Sequence, residues 1–104
     1  MQKIMIVGGG KGGNAILGML KQTAEIIVVV DKNPNAPGIL RAKELGVQTG
    51  ENWQDFLTEE LDLVIEVTGN PEVYKRINEM RRENTIVVPA SVAYMISTLM
   101  DERE

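Results

Sequence analysis

The sequence predicts an α/β protein, a doubly wound parallel sheet of about five strands held between two layers of helices. Three observations carry that prediction. Apolar, β-branched runs of strand length alternate along the chain with stretches whose apolar residues recur at helical spacing. One of those runs, EIIVVV at residues 25–30, is uninterrupted, as expected of a strand covered on both faces. The first strand passes into a helix through a glycine-rich turn, a junction at which such sheets bind anions. A chain of 104 residues, 43% of them apolar, can fill one modest core but not two.

Each element has its own signal. Residues 2–7 (QKIMIV) are strand-like and end at glycines, while residues 14–23 (NAILGMLKQT) place Ile16, Leu17 and Leu20 on one helical face. Gly18 inside this helix costs ~1 kcal/mol relative to alanine, so a close approach to a strand is expected there. The second strand ends at Asp31, a Pro/Asn/Gly loop follows, and residues 39–46 make a short helix capped by Gly46. A short strand at 47–49, a brief helix at 53–57 behind the cap Asn52, and a strand at 61–69 (LDLVIEVTG) come next. Asn70 caps the following helix and Pro71 suits its first turn. Val73, Ile77 and Met80 share a face, and Arg81 and Arg82 stand near the C-terminal end, where the helix dipole favours cations. Residues 85–90 (TIVVPA) are a last strand stopped by Pro89. Ser91 opens a final helix, with the apolar stripe Val92, Met95, Ile96 and Leu99, that runs on to Glu104.

Composition narrows the functions. With 11 basic and 15 acidic residues the net charge is −4, so a phosphate-neutralising surface for nucleic acid is not expected. The absence of cysteine and histidine removes disulfides, thiolate chemistry and the commonest general base and metal ligand. No catalytic or metal-binding set emerges. There is no charged-then-apolar leader and no apolar run near the ~18 residues of a membrane span, so a cytoplasmic protein is expected.

The chemistry concentrates in VGGGKGGNA, residues 7–15. A P-loop needs Ser or Thr after its lysine to hold magnesium, and Lys11 is followed by Gly12 and Gly13. The pattern G-x-G-x-x-G is met instead by Gly8, Gly10 and Gly13, between a strand and a helix. Gly8 then makes the tight turn, Gly10 lets backbone approach a pyrophosphate, and Gly13 lets the helix pack on the sheet, with Lys11 as a possible rim charge. Asp31 lies eighteen residues after Gly13 at the end of the second strand, the place of an acid that accepts hydrogen bonds from an adenosine ribose. Its carboxylate repels the 2′-phosphate of NADP and so favours NAD or NADH, unless Lys32 swings over to neutralise it. Asp31 is otherwise an ordinary strand-end turn residue. The other half of a dinucleotide site belongs at the end of the fourth strand, where Thr68, Gly69 and Asn70 offer polar groups, or merely end a strand and cap a helix. Glu66 is a carboxylate within an apolar strand. It serves the ligand side, or is satisfied by backbone N–H groups of a neighbouring loop. Trp53 and the methionines read as packing residues.

These motifs, IVGGGKGGNAIL, VVVDKNPNAPG and DLVIEVTGNPEV, resemble the NAD-binding half of dehydrogenases of the homoserine and aspartate dehydrogenase kind. The resemblance implies a Rossmann-like fold, pyrophosphate at Gly8, Gly10 and Gly13, ribose at Asp31, and the nicotinamide ribose near Thr68 and Asn70. The family's substrate domain and its catalytic lysine or histidine have no counterpart in the sequence. The ending VPASVAYMISTLMDERE resembles the Rossmann-like domains that precede PAS modules in bacterial sensor histidine kinases and enhancer-binding transcription activators. From that resemblance follows the expectation of a nucleotide-sensing module for NAD(H), joined through its last helix to a downstream signalling domain or to a second copy. A dehydrogenase fragment, or a related fold binding CoA or another adenine nucleotide, remains the alternative.

Overall fold

The computed structural model describes residues 1–102, with side chains described as far as residue 99. Five strands, β1 (Lys3–Val7), β2 (Glu25–Val30), β3 (Thr49–Gly50), β4 (Leu63–Glu66) and β5 (Ile86–Val88), form one sheet in the order β3-β2-β1-β4-β5. Every neighbouring pair is parallel. The chain thus winds outward from β1 through β2 to β3, then crosses the sheet to β4 and winds outward again. The order reverses between β1 and β4, which leaves a crevice above their C-terminal ends.

Two layers of helices cover the sheet, as expected. Helices α1 (Lys11–Leu20), α2 (Pro37–Glu44) and α4 (Ala90–Glu102) contribute Ile16, Leu17, Ile39, Ala42 and Ala93 to a core against Ile4, Ile6, Val29 and Ile65. On the other face a 3₁₀ turn (Trp53–Phe56) and α3 (Pro71–Met80) enclose Met5, Val7, Val28 and Val64 with Trp53, Leu57 and Ile77. The alternation along β1, β2 and β4 divides each apolar run between the two cores, which is why their apolar residues follow one another without a break up to Glu66 at the end of β4.

Several boundaries differ from expectation, each for a local reason. Helix α1 starts at Lys11 and not residue 14, because Gly10 is its N-cap and the last glycines of the loop already form its first turn. Helix α2 begins at Pro37, whose fixed φ suits a first turn. Gly46 follows its C-cap with φ +74°, the left-handed position foreseen for it. The element after β3 is one 3₁₀ turn, and Asn52 makes no side-chain cap there. Asn70 does cap α3, accepting from Glu72 N–H at 3.0 Å, but of the face expected to be apolar only Ile77 is buried and Met80 is 50% exposed. Gly18 admits a helix and not a strand, since a Cβ there would meet the Arg41 guanidinium of α2.

The last helix departs most. Its packed face is the small one, with Ala93 buried and Ala90 and Ser97 partly so. The stripe Val92, Met95, Ile96 and Leu99 is 36–58% exposed. Arg103 and Glu104, through which this helix is expected to continue, lie outside the described residues. Among the described residues no helix is long and apolar enough to cross a membrane.

Candidate functional site

The crevice above the switch point is a cleft of about 660 Å³. It runs along the C-terminal ends of β1 to β4 and is closed on one side by α3. Of the ten residues expected to bind cofactor, Gly8, Gly10, Asp31, Lys32, Thr68 and Asn70 line it. The other four, Lys11, Gly12, Gly13 and Gly69, do not. Lys11 is exposed on the first turn of α1, and Gly69 holds φ +76° in the turn before α3.

The glycines divide their tasks according to what surrounds them. Gly8 sits at φ +111°, and a Cβ there would stand 3.0 Å from backbone atoms of Val67 and Thr68. Gly13 lies directly beneath the Gly8 carbonyl, so a Cβ would overlap that group. Gly12 leaves room for the Tyr94 ring of α4, a task the sequence did not suggest. Gly10 differs from all three: nothing lies within 4 Å of its Cβ position, and the residue lines the cleft. The first helical hydrogen bond of α1 runs from Asn14 N–H to the Gly10 carbonyl, and no side chain caps the turn. The amides of the first turn therefore point forward without helical partners, carrying the positive end of the helix dipole.

Asp31 ties this loop to β2. Its Oδ2 accepts from Gly9 N–H at 2.7 Å and its Oδ1 from Asn33 N–H at 2.8 Å. Gly9 is held from its other side as well, its carbonyl accepting from Gly38 N–H at 2.6 Å at the start of α2. Each carboxylate oxygen retains a second lone pair, so the same acid can fix the loop and receive ribose hydroxyls.

The β4–α3 turn is built from a relay at every second residue. Glu66, 3% exposed, accepts through Oε2 from Thr68 N–H at 2.6 Å and from the Thr68 hydroxyl. The Thr68 Oγ1 accepts from Asn70 N–H at 3.1 Å, and the Asn70 Oδ1 accepts from Glu72 N–H. Of the two roles open to Glu66, satisfaction by the neighbouring turn is the one the geometry supplies. Glu66→Ala removes the charged, buried acceptor of two part-buried hydrogen bonds from Thr68 and is expected to cost about 2 kcal/mol. A melt should fall by roughly 10 °C, with Glu66→Gln, which keeps an oxygen in place, less than half as damaging.

The α3 wall is not legible in the sequence. Glu72, Val73 and Arg76 face the cleft from one side of α3, and Trp53, read as packing, does both: it is 8% exposed in the core and lines the cleft. The Arg76 guanidinium carbon lies 5.8 Å from the Trp53 ring centroid, within cation–π range. No periodicity could have paired them, because they meet only after the chain crosses from β3 to β4. Among the described residues no group of three potential metal ligands forms.

Residues 1–93 match the model of the protein family described as "Putative NAD(P)-binding". The chain belongs to this family. The match takes in the glycine loop, Asp31, the Thr68–Asn70 turn and the α3 wall together. No curated protein matches the sequence. Among solved structures, apo scyllo-inositol dehydrogenase from Lactobacillus casei superposes with a TM-score of 0.67 at 23% identity, over 86% of this chain and 28% of its own. Glycinamide ribonucleotide transformylase 1 from Symbiobacterium toebii does so with a TM-score of 0.55 at 18% identity, over 82% of this chain and 50% of its own. At such identities these structures share the Rossmann-like fold, and this chain spans half of their length or less.

Proposed function

We propose that the domain binds NAD or NADH and serves as the sensory module of a larger signalling protein. The observation that carries the first half is convergence at the switch point. The open backbone at Gly10, the unpartnered first turn of α1, the Asp31 carboxylate and the Thr68–Asn70 turn meet around one cleft. These groups suit the parts of a dinucleotide: amides and helix dipole for the pyrophosphate, a carboxylate for a ribose diol, a polar turn for the second ribose. NAD when bound would supply a ring able to exchange a hydride. Asp31 supports NAD over NADP by repulsion of a 2′-phosphate.

The second half rests on α4. Its stripe Val92, Met95, Ile96 and Leu99 is partly exposed, while Tyr94 of the same helix packs on Gly12 in the first turn of α1. A ligand that tightens this turn can shift α4 only as far as its affinity differs between the two placements. The alternative, the cofactor half of an NAD-dependent dehydrogenase, takes the same ligand but needs no response in α4.

Calorimetric titration with NAD, NADH, NADP and CoA tests the reading, with Gly10→Val beside the wild type. The variant has room for its Cβ and loses only a glycine N-cap, so its stability should change by about 1 kcal/mol. Its affinity for NAD should nevertheless vanish. Normal binding by Gly10→Val would remove the pyrophosphate assignment, and binding of CoA alone would replace the ligand. NAD-dependent protection from hydrogen exchange along α4 supports the sensor, and an unresponsive α4 favours the dehydrogenase fragment.

A further inference from the structure

We propose that Arg76 is a specificity-determining residue that stacks on the purine base of the ligand, so that the domain recognises adenine nucleotides, mononucleotides included, chiefly from the adenosine end. The inference rests on the reading of the cleft as a nucleotide site and adds a residue that no motif assigns. In a doubly wound sheet the ribose held by the acid of β2 directs its base away from the glycine loop, toward the side on which β3 lies. On that side the cleft is lined by Glu51, Trp53 and Gln54, which follow β3, and by Val73 and Arg76 of α3.

Arg76 is exposed and, among the described residues, has neither a salt bridge nor a hydrogen bond. What holds it is the Trp53 ring, 5.8 Å from its guanidinium carbon. A guanidinium is planar, and at 5.8 Å from the indole centroid it keeps a face free for a second π-system. Val73, one turn earlier on the same side of α3, supplies an apolar neighbour. Adenine is neutral, flat and polarisable, and suits this wall better than a phosphate does, because Glu51 and Glu72 line the same cleft and oppose an anion.

Trp53 is the chain's one tryptophan, so its fluorescence reports this wall alone. Wild type, Arg76→Ala and Arg76→Lys would be titrated with NAD, AMP and nicotinamide mononucleotide while Trp53 emission is followed, affinities being taken in parallel by calorimetry. NAD and AMP should both change Trp53 emission. Arg76→Ala should weaken both by about tenfold or more, the ordinary loss for a base-stacking contact, and leave nicotinamide mononucleotide unaffected. Arg76→Lys, which keeps the charge and loses the plane, should resemble the alanine variant. Unchanged affinity of Arg76→Ala for NAD and AMP, or full recovery in Arg76→Lys, overturns the stacking role while the nucleotide site stands. A wild type that binds neither NAD nor AMP overturns both.

Discussion

Gly13→Ala should melt roughly 10–20 °C below the wild type, although the substitution is, by helix propensity, favourable. Gly13 lies in the first turn of α1, where alanine would gain ~1 kcal/mol over glycine. Against that gain stands the Gly8 carbonyl, whose carbon would be 2.8 Å from the new Cβ and whose oxygen would be closer still. Relief requires the loop to move, and the loop is pinned. Gly8 N–H donates to the Val30 carbonyl at 2.8 Å, and the far side of Gly8 already lies against backbone of Val67 and Thr68. Every obstacle is backbone, so no rotamer change absorbs the methyl. A backbone overlap this close lies at the upper end of overpacking, about 3 kcal/mol or more, so that about 2 kcal/mol or more remains after the propensity gain, and each kcal/mol moves the midpoint of a domain this size by about 4–8 °C. Thermal unfolding followed by circular dichroism is the measurement, with Gly10→Val as the comparison. A Gly13→Ala protein that melts with the wild type would mean that α1 can slide away from the sheet.

The contrast between these two glycines explains how much of the site could be read in advance. The spacing of Gly8, Gly10 and Gly13 is visible as letters, and so is the acid at the end of EIIVVV, because a buried parallel strand must be a branched apolar run and must stop at something polar. What the letters do not say is which glycine meets ligand and which meets protein. Only Gly8 and Gly10 face the cleft, Gly13 being consumed by the Gly8 carbonyl and Gly12 by Tyr94. The start of α1 differs from expectation for a related reason, since glycine disfavours helix by propensity even where it is helical. On α4 the stripe of large residues promises burial, yet small Ala90, Ala93 and Ser97 allow the close approach and turn the stripe outward. Trp53 and Arg76 lie beyond any local pattern. Their meeting depends on the crossing of the sheet that puts the 3₁₀ turn and α3 on one face.

Asp31→Ala should act on stability and ligand together, and the two effects separate by what is compared. Loss of the carboxylate frees the N–H of Gly9, which is part-buried, and that of Asn33, which water can reach. One poorly replaced charge-assisted bond costs about 1.5–3 kcal/mol, so a melt some 5–15 °C lower is expected. A loosened loop alone would weaken every dinucleotide by a similar factor. If the carboxylate also receives ribose hydroxyls and repels a 2′-phosphate, its removal should weaken NAD at least tenfold while NADP loses little or gains. The ratio of the two affinities is therefore the decisive quantity, because damage to the glycine loop divides out of it. Asp31→Asn sharpens the comparison: one amide oxygen can still accept from Gly9 or Asn33, so part of the stability returns, but the charge does not. An NADP-to-NAD affinity ratio that rises alike in both variants would assign the discrimination to charge at Asp31. A ratio fixed at the wild-type value would leave the acid as a clamp on Gly9 and shift the choice of cofactor to Lys32 and the wall behind it.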